Sequence, residues 1–205
     1  MFAFQVRTSP LALFVLDSES FRSSSLPAGW QIKVNHGKPE VSASREGDQT
    51  VLRLRSDRAS FGVERSIDVD VAAMPWLTWR WKVTDLPPDG DFRSMRTDDQ
   101  AAQVLVAFAD RHVLTYIWDS KAPKGLLQST STIPLVHVFA IVCRSGSTDL
   151  NQWLAEVHNV ADDYSRAYGR PAPRVKGLRI QINSQHTGAT AESYFGQVAF
   201  RSTPQ

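Results

Sequence analysis

Residues 77–83 alternate apolar and polar side chains without a break. Successive side chains of a β-strand point to opposite faces. Leu77, Trp79, Trp81 and Val83 therefore share one face, and Trp76, Thr78, Arg80 and Lys82 share the other. A helix would scatter these bulky groups around its axis, so the segment fits a half-buried strand. The same period of two recurs at 30–34, 51–55, 61–71 and 178–183. Further strand-like runs occupy 11–17, 102–109, 112–119, 134–143, 153–160 and 194–200. Turn chemistry separates them, as in Asn35-His36-Gly37-Lys38-Pro39 and the Pro-, Gly- and Asp-rich stretch from Asp85 to Arg96. Many short strands with no repeating helical pattern predict an all-β chain, an antiparallel β-sandwich of jelly-roll type. One short helix is expected near 161–169. Asp162 and Asp163 stand at its start, Arg166 lies near its end, and Gly169 then Pro171 follow. Tyr164 and Tyr168, four apart, would share its buried face.

A length of 205 residues suits a single domain spanning 1–205. With 42% hydrophobic residues the chain can bury a substantial core. The net charge is only +2 and the charges are interspersed, which argues against a nucleic-acid partner. No apolar stretch approaches the length of a membrane-spanning helix. Arg7 comes late, and Asp17 and Glu19 stand where a signal peptide would be cleaved, so 11–17 reads as a first strand and not as a leader. Cys143 is alone, which excludes an intrachain disulfide and Cys-rich zinc sites. It lies in the apolar run 138–143, where a buried, inert thiol is expected over a nucleophile.

Residues 153–164 crowd a Glu, a His, an Asn, two Asp and a Tyr into one short stretch. On a strand, Leu154, Glu156, His158 and Val160 share a face, with Glu156 and His158 about 7 Å apart. A carboxylate beside an imidazole raises its pKa and orients it, which suits acid–base work. Glu156, His158 and Tyr164 are thus the candidate catalytic residues, and a solvated strand face is the alternative. A glycan site is a second expectation, because sugar faces stack on aromatic rings while Arg and carboxylate groups bind hydroxyls. Trp79, Trp81, Tyr116 and Trp118 could form such a platform, although Trp79 and Trp81 fit a core equally well. The candidate ligand-binding residues are Arg80, Trp118, Arg144, Asn159 and Asp163. Asp98 and Asp99, beside the loop carboxylates Asp85, Asp89 and Asp91, are candidates for a structural calcium, with turn-forming Asp as the alternative. No other cofactor is expected. His36, His112, His137 and His186 show no metal-ligand spacing, and no P-loop, G-x-G-x-x-G or G-x-S-x-G motif occurs.

These features form an ordered series. Trp79-Arg80-Trp81, Asp98-Asp99, Tyr116-Ile117-Trp118 and Arg144-Ser145-Gly146 are followed by Trp153, Glu156, Asn159-Val160, Asp163-Tyr164 and Gly169. Thr187-Gly188, Ala191, Tyr194, Gly196, Val198 and Phe200 complete it. The series resembles domain of unknown function family 3047, a bacterial family, over roughly residues 20–201. His158 stands where that family carries Arg, and Asn183-Ser184-Gln185-His186 where it carries Asp-x-Asp-Asn. The resemblance implies a β-rich fold and an exported or periplasmic location, and it implies no mechanism. The expected function is non-catalytic binding of a carbohydrate or other polar cell-envelope ligand. The alternatives are a polysaccharide-acting enzyme using Glu156 and His158, and an assembly domain that binds another protein.

Overall fold

The computed structural model describes residues 9–15, 26–130 and 135–204. The strands are β1 (Leu11–Phe14), β2 (Gln31–His36), β3 (Glu40–Glu46), β4 (Gln49–Asp57), β5 (Ser60–Val69) and β6 (Trp76–Asp85). They continue with β7 (Ala102–Phe108), β8 (His112–Asp119), β9 (Leu127–Ser129), β10 (His137–Ser145) and β11 (Leu154–Asn159). The helix α1 (Val160–Tyr168) follows, then β12 (Val175–Asn183) and β13 (Thr190–Arg201). Two sheets form a sandwich, as the alternation predicts. One has the order β11-β6-β13-β4-β3, with β1 also on β13; the other runs β2-β5-β12-β7-β8-β10-β9. All pairings are antiparallel except β8 with β10, which are parallel. No described helix is long and apolar enough to cross a membrane.

The alternation of β6 does what its pattern requires. Leu77, Trp79, Trp81 and Val83 are buried between the sheets, while Arg80 is exposed on the outer face. Leu52 and Leu54 of β4 and Phe195, Val198 and Phe200 of β13 join them. Val104, Val106, Tyr116, Trp118, Ile180 and Ile182 face them from the other sheet. A second, smaller cluster (Phe92, Ile117, Ala122, Ala140 and Val142) lies where the 86–101 loop covers the outer face of β8 and β10. Asp119 fastens this cover by accepting the backbone N–H groups of Phe92, Lys121 and Ala122.

Some boundaries differ from expectation. β3 and β9 were not among the expected strands. β3 pairs with β4 through a two-residue turn, Gly47-Asp48, whose Gly47 adopts φ 60°. That is the position where a type II′ hairpin turn favours glycine. β10 runs two residues beyond the expected end at 143, through Arg144 and Ser145. Residues 16, 17 and 134 of the expected strands, and the start of the chain through residue 8, lie outside the described residues.

The helix starts one residue early, at Val160, because Asn159 caps it. Asn159 Oδ1 accepts the N–H groups of Ala161 and Asp162. Gly169 ends it in the left-handed region at φ 68°, donating its N–H to Ser165. A nine-residue helix is marginal by itself. Replacing Asn159 by Ala should therefore lower unfolding stability by about 1 kcal/mol, and Asn159→Asp should cost much less. Urea unfolding of the three proteins checks this, and equal midpoints for Asn159→Ala and the parent would contradict it.

Candidate functional site

β11 is an edge strand, antiparallel to β6, with Glu156 opposite Trp79 and His158 opposite Leu77. Its exposed residues Ala155 and Val157 point outward. Glu156 and His158 therefore point into the sandwich, and Glu156 is only 8% exposed. This corrects the alternative of a solvated strand face: the two groups do share a face, but it is the interior one.

Inside, partners from the opposite sheet and from α1 surround them. Glu156 Oε1 accepts the indole N–H of Trp81 at 3.1 Å and the Arg144 Nε–H at 2.7 Å. Arg144 also lies 3.5 Å from Asp149. His158 stacks on Trp79 with ring centroids 5.3 Å apart and lies 4.5 Å from the Tyr116 ring. Its Nδ1 is 3.2 Å from Asp163 Oδ2, which also accepts the Tyr116 hydroxyl at 3.0 Å. A carboxylate oxygen only accepts, so Nδ1–H donates to it and Nε2 faces elsewhere. It faces Cys143, whose Sγ is 3.4 Å away. Burial, followed by the charges of Glu156 and Asp163, pushes the Cys143 thiol well above its usual range. Among the described residues, Cys143, Glu156 and His158 are the one group that brings three such donor atoms within 4.8 Å of one another.

Glu156, His158, Arg144 and Asp163 thus converge, and the other expected site residues do not. Tyr164 is buried with its hydroxyl on Asp110, in a separate cluster with Arg170, His112 and Tyr168. Asn159 is the helix cap, a role that its side-chain oxygen fills completely enough to explain its presence. Trp118 is fully buried and donates its N–H to the Gly146 carbonyl, so its ring offers no face for stacking. Trp79, Trp81 and Tyr116 are likewise core. Arg80 stands on the outer face of the six-stranded sheet, 5.3 Å from the Trp153 ring and away from the cluster.

The acidic loop residues also disperse. Asp99 accepts from the backbone N–H groups of His186 and Thr187 and from the Thr187 hydroxyl, tying down the β12–β13 connection. Asp98 accepts from Gln100, and its carboxyl is raised chiefly by burial. Asp91 pairs with Arg93, Asp89 with Lys121, and Asp85 with Thr190. Asn183 accepts from Gln100 and Gln103 and donates to the Asp98 carbonyl.

A second polar region lies on the outer face of the seven-stranded sheet. Sequence reasoning missed it. Leu178, Ile180 and Ile182 of β12 face the core, so Arg179 and Gln181 face outward. The registers line up Gln31, Glu64, Arg179, Leu105 and Thr115 in one row across β2, β5, β12, β7 and β8. A cavity of about 290 Å³ opens here, with Leu105, Ala107 and Val113 as apolar lining and Gln31, Glu64, Ser66 and Arg179 as polar lining. The Arg179 Nε and the Thr115 Oγ1 are buried without hydrogen-bond partners. Burial holds the Arg179 guanidinium below its usual range.

The profile of the family "Protein of unknown function (DUF3047)" matches residues 28–199. No curated protein matches the chain. Among solved structures, the chain is similar to a family 30 carbohydrate-binding module of a Clostridium thermocellum cellulosomal cellulase, with a TM-score of 0.53 and 10% identity, covering 97% of this chain and 100% of that one. It is also similar to the xyloglucanase domain of NopAA from Sinorhizobium fredii, solved with cellobiose, at 0.51 and 10%, covering 87% and 95%. Endoglucanase cel12A from Rhodothermus marinus gives 0.50 and 9%, covering 95% and 100%. At such identities the likeness is one of fold.

Two outcomes follow from the interior geometry. Removing one partner of a fully buried ion pair costs about 3–5 kcal/mol. Arg144 keeps 19% of its side chain exposed, so Arg144→Met should cost less, about 2 kcal/mol. The double variant Arg144→Met/Glu156→Gln should recover part of that loss in a denaturant-unfolding cycle; strict additivity would contradict the coupling. Burial, then the bond to Asp110, raises the Tyr164 phenol to about 12. An unfolded phenol titrates near about 10, so this stability is complete below that pH and is lost as pH rises from there through 12. Tyr164→Phe should flatten the alkaline limb of stability against pH, and an unchanged slope would refute the assignment.

Proposed function

The chain belongs to the DUF3047 family of proteins of unknown function, and from that premise we propose that it is a non-catalytic binding module for a polar oligosaccharide. The proposed seat is the outer face of the seven-stranded sheet. One observation carries the reading: a cavity of about 290 Å³ is lined by Glu64 and Arg179, and the Arg179 Nε is buried there without a partner. A buried donor without an acceptor is costly. A small rotation of the side chain that brings Nε to the cavity wall would let a ligand hydroxyl or carboxylate supply the missing acceptor. Among the described residues, Glu64 is the carboxylate paired with Arg179, 3.7 Å from Nη1 and beyond hydrogen-bond reach, while Nη2 donates to Asn35 Oδ1 at 3.1 Å.

The lining suits a sugar. Leu105, Ala107 and Val113 offer apolar contact to ring C–H groups, and Gln31, Glu64 and Ser66 surround them with donors and acceptors. A sheet face holds such groups at fixed spacing along each strand, which matches a ligand with repeating units. The fold likeness to a carbohydrate-binding module agrees with this reading and carries no weight of its own. Glu156 and His158 as an acid–base pair have weaker support, because both point into the sandwich and are engaged by Arg144, Trp81 and Asp163.

Binding to a panel of neutral and acidic polysaccharides, followed by calorimetry with oligosaccharides of the best one, tests the proposal. A hydrogen bond to a charged group is worth about 1.5–3 kcal/mol, so Arg179→Ala should weaken binding by roughly tenfold to a hundredfold. Glu64→Gln should weaken it less, and Arg80→Ala on the opposite sheet should leave it unchanged. No binding to any polysaccharide, or binding indifferent to Arg179→Ala, would sink the reading.

A further inference from the structure

We infer that Cys143, His158 and Glu156 form a binding site for a zinc-like divalent transition-metal ion, with Asp163 as the residue that positions the imidazole. The three ligands come from three places in the chain: β10, and two positions of β11. They meet where the edge strand of one sheet lies against the other sheet. A thiolate, an imidazole and a carboxylate together select zinc over calcium or magnesium, which prefer oxygen alone.

The distances fit. Zinc binds sulfur at about 2.3 Å and nitrogen at about 2.0–2.1 Å, so tetrahedral ligands of these types stand roughly 3.5 Å apart. Cys143 Sγ and His158 Nε2 are 3.4 Å apart. All three donor groups lie within 4.8 Å of one another, so a movement of about 1 Å at the carboxylate closes the set. Both hydrogen bonds received by Glu156 end on Oε1.

The outer shell is also that of a metal site. A ligating His characteristically donates its second N–H to a carboxylate, which fixes the tautomer and makes the ring a better donor. His158 does this through Nδ1 to Asp163, and the Tyr116 hydroxyl and Arg166 hold that carboxylate in turn. The ring is clamped between Trp79 and Tyr116. The aromatic clamp and the Asp163 bond aim the free Nε2 at the thiol and leave it little freedom to turn elsewhere. Three protein ligands leave a fourth position for water, and the 21% exposure of the His158 side chain leaves a way in. On binding, the Cys143 proton leaves to solvent and the thiolate takes its place on the metal, while the imidazole proton stays on Nδ1.

Cobalt(II) and zinc(II) titration of the chelator-treated protein tests the inference. We expect one equivalent bound, a thiolate-to-cobalt charge-transfer band, and a higher unfolding temperature with zinc. Cys143→Ser should abolish the band. Cys143→Ser and His158→Gln should each weaken zinc binding by at least about 100-fold, and Asp163→Asn by about 10- to 100-fold. His36→Gln and His186→Gln should change nothing. X-ray absorption of the wild-type zinc protein needs no variant to fold, and should show a sulfur neighbour at about 2.3 Å. A shell of nitrogen and oxygen alone, the absence of the cobalt band in the wild type, or binding lost only with the surface histidines would overturn the inference.

Discussion

A buried indole needs an acceptor for its N–H, and Trp81 finds one in Glu156. Much of the interior follows from that contact. Trp81 is fully buried, 5.4 Å from Trp79, 6.1 Å from Trp118 and 6.3 Å from Phe195. Its acceptor must therefore be inside the sandwich. A carboxylate there needs a counter-charge, which Arg144 brings across from the other sheet at 2.7 Å. One aromatic contact thus commits β6, β10 and β11 to a common geometry. Trp79, next on the same face, has a buried indole N–H with no partner. It has the His158 ring stacked on its face instead.

The passage from β11 into α1 is the second constraint. Asn159 ends the strand and caps the helix, so the chain turns within one residue. That turn brings Asp163, five residues on from His158, back against the imidazole. Two residues on separate elements of unrelated period become partners because the junction between them is tight. The same turn sends Tyr164 and Tyr168 toward Asp110 and His112, so the aromatic face of the helix serves another cluster.

The strands with large, strictly alternating side chains were legible in the sequence. β6 and β12 are the clear cases, since Trp79, Trp81, Ile180 and Ile182 announce an inner face by bulk alone. β3 was not, because Val41, Ala43 and the intervening serines make a half-buried edge strand with little apolar contrast. The pairing of Glu156 with His158 on one face was legible from their spacing. That this face is interior was not, because it depends on Cys143, Arg144 and Asp163 arriving from elsewhere in the chain. Cys143 read as an inert thiol in an apolar run, and the approach of β11 sets the His158 ring beside it. Trp118 read as a stacking platform, and its burial depends on how β8 packs against β6. The helix was visible in residue types but its start was placed one position late, since Asn159 reads equally well as the last residue of a strand.

Two arginine–glutamate pairs show why residue type cannot settle what a polar group does. Arg144 and Glu156 meet at 2.7 Å, and the carboxylate oxygen also takes an indole N–H. That pair is complete within the protein. Arg179 and Glu64 stand 3.7 Å apart on the outer face, and the Arg179 Nε has no acceptor. A buried ion pair with one partner missing is costly, so inside the sandwich the protein itself supplies both halves. A pair on an open sheet face can stay incomplete, because a ligand can finish it. Composition and spacing treat the two pairs alike. The distinction lies in about 1 Å of separation and in which face of its sheet each residue occupies.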